Sequence, residues 1–200
     1  MEQSTQPTVA DLFRPSDHKF TWLGIDFSHA KFIGDFAQFN TSGNKGPAGL
    51  RDEFFVRWND LIMKEPAKYD IAGMLRKGGV GMDFRMINKV NAATAPENMP
   101  AMEGVEFSKE DIQGFINNYS MEPNEGVGIM FVCEYLNKMQ AFGVYHVVIL
   151  NLSTKEILIH ERLGGKAGGI GLRNYWARSY FEVIKQVKSS YFNHWRKQYV

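Results

Sequence analysis

The stretch from Tyr145 to about Trp195 constrains the fold most, because three signals follow one another there in a fixed order. Two apolar runs flank the polar turn at 153–155, which predicts a β-hairpin. Five glycines in eight positions follow at 164–171. Large apolar residues then recur at helical spacing, at Trp176, Tyr180, Val183, Ile184, Val187 and Tyr191. This order predicts a hairpin, a flexible connection and a long amphipathic helix that packs on a sheet.

The upstream sequence predicts the rest of the same sheet and its covering helices. We expect strands near 19–36, 80–90 and 125–136, a helix after Pro47 and a helix that begins at the cap Ser108. The run at 125–136 is apolar at almost every position, which is typical of a central strand covered on both faces. We therefore predict an α+β (layered α/β) domain with a mixed, largely antiparallel sheet of about five strands, covered by three main helices in the order βαβαβββα.

Length and charge limit the number of domains and the partners. A chain of 200 residues with 44% hydrophobic composition is long enough for one substantial core. We expect a loose N-terminal leader at 1–17 and a single α/β domain at 18–200. The net charge of +1 provides no overall field for nucleic acid, so we expect no nucleic-acid partner.

The compartment stays open between two alternatives. Cys133 is the only cysteine and lies in an apolar run, so it indicates core packing and no disulfide. No run is long enough to span a bilayer, so we expect no transmembrane segment. The polar start Met1-Glu-Gln-Ser-Thr suits a mature exported chain whose signal peptide was removed, and it suits a cytoplasmic protein equally.

The C-terminal third resembles a family pattern. The strand and turn at 147–158, the glycine loop that begins at Gly164 and the helix with Ala177 are similar to an arrangement in bacterial cell-envelope proteins. It occurs in the curli-secretion lipoproteins and in the N-terminal domain of TolB. The segments Phe20-Thr-Trp-Leu-Gly-Ile-Asp-Phe-Ser-His and Arg173-Asn-Tyr-Trp-Ala resemble uncharacterised bacterial envelope proteins more particularly.

The resemblance implies a noncatalytic exported or envelope-associated domain, periplasmic in location, that acts through contacts with a protein partner or by self-association. It carries no catalytic residue to this chain, and we expect no cofactor and no metal. The five histidines are scattered, although His146 and His160 fall on partner strands of the predicted hairpin and approach each other if the register agrees. Asp26, His29 and Asp35 form a nominal acid–base set, but neighbours such as Ser28 and His29 point to opposite faces of a strand.

A second hypothesis, from a different functional class, places a phosphate or a nucleotide at the glycine loop. A glycine-rich turn before a helix presents backbone N–H groups to an anion. The candidate residues are Gly165, Lys166, Gly168, Gly169, Gly171 and Arg173. The loop lacks the Ser or Thr that follows the lysine of a P-loop, so the glycines equally indicate a tight connection with positive φ angles.

The end of the chain mixes aromatic and basic residues, which indicates an interface with a partner or peripheral contact with a membrane. The candidate residues there are Tyr191, Phe192, Trp195 and Arg196. The alternative is the last two turns of a core helix with a solvated tip.

Overall fold

The computed structural model describes residues 6–36 and 46–200, and a seven-stranded sheet forms its centre. The strands are β1 Phe20–Asp26, β2 Lys31–Ile33, β3 Gly81–Met82, β4 Pro100–Ala101, β5 Val127–Asn137, β6 Phe142–Asn151 and β7 Ile157–Lys166. β5 is the central strand, and its apolar run is buried throughout. Its side chains alternate between two apolar clusters, with Phe131 in one and Val132 in the other. This burial on both faces explains why the run has no polar alternation.

Strands on both sides of β5 complete the sheet. β1 and β2 lie end to end along one edge of β5 and are parallel to it, from the pair Phe20 and Val127 to the pair Ile33 and Asn137. β3 and β4 add parallel partners outside β1 and β2. β6 runs antiparallel along the other edge of β5, and β7 is antiparallel to β6.

The prediction of a largely antiparallel sheet of about five strands is wrong. Four of the six strand pairs are parallel, and the molecule is a mixed α/β fold. The short links between β5, β6 and β7 form the two antiparallel hairpins. The connection from β1 to β5 is long and contains helices, and such a crossover brings the next strand back in the same direction.

Helices cover both faces of the sheet. They are α1 Gly46–Gly49, α2 Phe55–Lys64, α3 Ile71–Met74, α4 Arg85–Ala92, α5 Lys109–Asn117, α6 Leu172–Gln186 and α7 Phe192–Tyr199, with π-helical turns at Leu50–Phe54 and Val187–Tyr191 and 3₁₀ turns at Val9–Leu12 and Pro96–Asn98. The cap predicted for α5 is confirmed, because the Ser108 hydroxyl accepts a hydrogen bond from the Asp111 N–H at 3.1 Å. Within the described ranges, no helix is long and apolar enough to cross a membrane.

The predicted strand at 80–90 is also wrong. Only Gly81–Met82 pairs with β1, and the chain then enters α4. Asp83 accepts a hydrogen bond from the Arg85 N–H at 3.1 Å, which helps to satisfy the start of that helix. Met86 and Ile87 are buried on the face of the sheet that α5 also covers. Met86 and Ile87 therefore lie on a helix and not on the predicted strand.

The described part of the predicted leader packs on the domain. Leu12 is buried in the larger core cluster, and the Phe13 ring lies 5.3 Å from the ring of Phe192. The Asn151 side chain donates a hydrogen bond to Gln6 Oε1 at 3.1 Å. This segment therefore lies beside the start of β1 and beside α7, where it forms one wall of a cleft.

Candidate functional site

The structure gives the glycine loop a packing role at its first positions. Gly165 and Lys166 are the last residues of β7, and Gly165 lies directly against α6. A Cβ atom on Gly165 would overlap the backbone oxygen of Ser179, and one on Gly164 would overlap the Phe142 ring. Gly165 therefore allows β7 and α6 to approach each other closely, and Gly164 leaves room for the Phe142 ring of β6.

The later positions of the loop form a tight connection into α6. The Gly168 N–H donates to the Tyr175 carbonyl at 2.9 Å, so this donor is used within the protein. Gly169 and Gly171 have φ angles of +114° and +79°, which glycine adopts without strain. Arg173 is exposed in α6, where its Nε donates to the Asn174 side chain at 3.2 Å. The loop is thus a tight connection with positive φ angles, which was the alternative prediction to an anion site.

The aromatic residues near the C-terminus are divided between core and surface. Phe192 and Trp195 are buried, and the Trp195 indole N–H donates to Glu161 at 3.1 Å. The expectation of an exposed interface therefore does not hold for these two rings, because α7 turns them into the core. Tyr191 is half-buried, and Arg196 is exposed at the edge of the cleft beside the leader.

That cleft has a volume of about 790 Å³. Its walls come from the leader, the start of β1, the loop between α3 and β3, and α7. The residues that line it are Leu12, Phe13, Arg14, Pro15, Ser16, His18, Lys19, Phe20, Thr21, Arg76, Lys77, Gly78, Gly79, Gly81, Phe192 and Arg196. The leader runs directly into β1, whereas the loop between α3 and β3 and helix α7 are brought to these walls only by the fold.

The lining is strongly basic. It contains five Lys or Arg side chains, together with His18, and no Asp or Glu. Among described residues, Arg14, Lys19 and Arg196 have no carboxylate partner. Several cations elsewhere are paired with carboxylates, as in the ion pairs of Lys64 with Asp60 at 3.0 Å and Lys188 with Asp70 at 2.8 Å. The cleft therefore concentrates positive charge in a chain whose net charge is only +1.

Lys77 joins two walls of the cleft. Its Nζ donates to the Asp11 carbonyl at 2.7 Å and to the Arg14 carbonyl at 3.1 Å, and it lies 4.4 Å from the centre of the Phe20 ring. Burial lowers the pKa of the Lys77 ammonium, and the nearby Asp11 carboxylate partly opposes this effect. Lys77 thus fixes the leader against the loop that carries Arg76.

Arg76 has an unusual backbone conformation. It follows the C-terminus of α3 with a φ angle of +53°, at a position where helices usually carry glycine. A non-glycine residue there costs about 1–2 kcal/mol. The guanidinium lies 4.5 Å from the centre of the Phe192 ring, and both residues line the cleft. Arg76 thus combines a strained backbone with a cation that packs against the Phe192 ring.

A second polar cluster lies on the opposite side of the sheet from α6. His146 Nδ1 and His160 Nε2 are 2.8 Å apart, so the predicted approach of these histidines occurs. His146 Nε2 is 2.7 Å from Glu134 Oε2, and Arg162 Nη2 donates to Glu134 Oε1 at 2.6 Å. Sequence reasoning missed Glu134 and Arg162, because nothing in an apolar strand marks one acidic residue as a partner of two histidines.

The ionisation of this cluster follows from its hydrogen bonds. Burial alone would raise the pKa of Glu134, but hydrogen bonds from His146 and Arg162 outweigh it and lower the pKa to about 2. The ionised carboxylate fixes the His146 Nε2 as an N–H donor. Burial lowers the pKa of His160 to about 4, with a further contribution from His146.

The remaining acid–base candidates are used within the protein. Asp26 is buried at the end of β1, where it accepts hydrogen bonds from the Tyr119 hydroxyl and from the Ser28 N–H. The His29 ring stacks on Phe115 with 3.6 Å between ring centres. In the part of the chain that the structure describes, no three His, Cys, Asp or Glu residues are placed to hold a metal ion.

No protein-family model matches this chain, and no curated protein shows significant similarity to it. Of the two polar clusters, the basic cleft is open to a ligand, whereas the Glu134 carboxylate is fully buried and fully hydrogen-bonded.

Proposed function

We propose that this protein binds an anionic ligand in the basic cleft formed by the leader, the loop after α3 and α7. The observation that carries the proposal is the combination of five Lys or Arg side chains with no carboxylate in one cleft. Like charges held close together repel one another, and a bound anion removes that repulsion. Three of the five are arginines, whose planar guanidinium binds phosphate or carboxylate through two parallel hydrogen bonds.

The proposal keeps the phosphate-binding chemistry of the second sequence hypothesis, but it places the anion in the basic cleft. The phosphate-binding prediction put the anion at the loop from Gly165 to Arg173, where glycines instead serve packing and turns. The cleft supplies what that loop lacks, which is a concave volume lined by several unpaired cations. The prediction of an exported domain that acts through protein contacts stays a prediction.

A thermal-shift experiment tests anion binding. Inorganic phosphate and sulfate are compared with chloride at equal ionic strength, so that nonspecific screening is matched. A ligand at 100 times its Kd adds about 2.7 kcal/mol to the free energy of unfolding. We expect phosphate and sulfate to raise the unfolding midpoint of the unmodified protein.

Two double variants locate the site. Arg14→Gln with Arg196→Gln should remove most of the shift, because both side chains are exposed and line the cleft. Lys166→Gln with Arg173→Gln is the matched control, with the same loss of charge at the glycine loop. The proposal is refuted if phosphate and sulfate give no shift beyond chloride, or if only the control pair abolishes it.

A further inference from the structure

The charge of the cleft indicates what kind of anion it takes. Resting on the anion-binding function above, we propose that the ligand is a compact molecule with two or more phosphate groups, such as a pyrophosphate or a short polyphosphate chain. Three segments that are distant in sequence contribute the cations, which are Arg14 and Lys19, Arg76 and Lys77, and Arg196. A single carboxylate or phosphate would leave most of these charges without a partner. A ligand with several negative charges compensates them together.

The loop after α3 also offers backbone donors. Among described residues, nothing accepts a hydrogen bond from the N–H groups of Gly78 or Gly79. The space next to both α-carbons is open, since a Cβ on either glycine would meet no atom within 4 Å. Free N–H groups in a glycine turn bind phosphate oxygens, and here they lie beside Arg76 and Lys77. A phosphate group therefore finds guanidinium, ammonium and backbone donors at one wall.

The size of the cleft suits a small ligand. Its volume of about 790 Å³ lies within the range of roughly 300–1,000 Å³ that is usual for small-molecule sites. The Phe20 and Phe192 rings at its base are buried and lie under Lys77 and Arg76. No open aromatic face is therefore presented by these two rings for stacking with a base.

The surroundings of the cleft disfavour a polymer. An adjoining hollow of about 490 Å³ shares His18 and Lys19 with the cleft, and its lining includes Asp17 and Glu125. A nucleic-acid backbone that continued in this direction would pass from cations to carboxylates and be repelled. A compact phosphate compound stays within the basic part, which favours it over a long polyanion.

Calorimetric titration of the full chain tests the ligand class. Inorganic phosphate, pyrophosphate and tripolyphosphate are titrated at two salt concentrations, together with a single-stranded oligonucleotide long enough to extend beyond the cleft. We expect the affinity to rise at least about tenfold from phosphate to tripolyphosphate, with a steeper salt dependence for the longer anion. Arg76→Gln should weaken tripolyphosphate more than phosphate, because the longer anion uses more of the cations.

Other results of the titration would contradict one or both proposals. If phosphate binds as tightly as tripolyphosphate, the ligand class is wrong while anion binding in the cleft stands. If no anion binds, both proposals fail. Tighter binding of the oligonucleotide than of tripolyphosphate identifies a nucleic-acid site and overturns the compact ligand. Arg178→Gln, which removes an exposed arginine of α6, is the matched control. An equal loss of tripolyphosphate affinity in that variant would mean that the overall charge of the protein, and not Arg76 in the cleft, determines the binding, and it would contradict the proposal.

Discussion

Glu134→Gln should lower the free energy of unfolding by about 3 kcal/mol at neutral pH. The native hydrogen bonds lower the pKa of Glu134 from 4.5 to about 2. A change of one pKa unit corresponds to about 1.4 kcal/mol, so the ionised carboxylate contributes about 3 kcal/mol to stability. The carboxylate is fully buried, which limits the screening of this interaction by solvent. A neutral amide also presents N–H groups toward His146 and Arg162, which are themselves donors.

The pH dependence has a definite sign. The folded pKa of Glu134 lies below its unfolded value, so its contribution is complete above pH 4.5 and is lost as the pH falls toward 2. Urea unfolding of the unmodified protein and of Glu134→Gln should therefore differ by about 3 kcal/mol at pH 7 and converge at acid pH. Glu110→Gln, an exposed change on α5, is the control for the loss of one charge. A difference below about 1 kcal/mol at pH 7, or two parallel pH curves, would refute this account of the cluster.

Three further changes test other parts of the argument. Folding lowers the pKa of His160 from 6.5 to about 4, so its contribution to stability is complete above pH 6.5 and is lost as the pH falls toward 4. Urea unfolding should show that His160→Gln removes about 1–2 kcal/mol of this pH-dependent change in the free energy of unfolding, after allowance for partial exposure. Gly165→Ala should destabilise by more than about 2 kcal/mol through overlap with the Ser179 backbone, whereas Gly114→Ala, at an open position of α5, should stabilise by about 0.5–1 kcal/mol in the same assay. Arg76→Gly should leave the free energy of unfolding unchanged or raise it by up to about 1 kcal/mol, because glycine adopts the left-handed backbone conformation without strain. Calorimetry should show that this variant binds phosphate more weakly. A clear loss of stability with unchanged phosphate binding would assign Arg76 a structural role.

Local sequence patterns predict local structure in this chain, but they do not predict features that depend on packing between distant segments. The cap at Ser108 and the buried run of β5 follow from neighbouring residues, and both occur in the fold. The direction of β1 relative to β5 depends on the path of a long connection, which no local pattern records. The segment at 80–90 has apolar residues that fit a strand or one face of a helix. The packing of Met86 and Ile87 against the sheet decides for the helix.

The basic cleft could not be predicted from the sequence, because it also depends on segments that are distant in the chain. Arg76-Lys77-Gly78-Gly79 is a basic, glycine-containing turn that the sequence offered, but its importance depends on Arg14 and Arg196 arriving from the two ends of the chain. Arg196 was a candidate because of its aromatic neighbours, and two of those neighbours proved to be buried. The left-handed conformation of Arg76 is visible only in the structure, at the end of α3.

Two glycine-rich turns of this chain show how a packing role is separated from a binding role. At Gly165 a side chain would overlap the backbone of α6, so the missing Cβ is explained within the protein. At Gly78 and Gly79 nothing occupies the space that a side chain would fill, and no described residue accepts their N–H groups. Neither close packing nor a positive φ angle accounts for glycine at these two positions. Both glycines are exposed, so their N–H groups are open to solvent and to the anion proposed to bind beside Arg76 and Lys77.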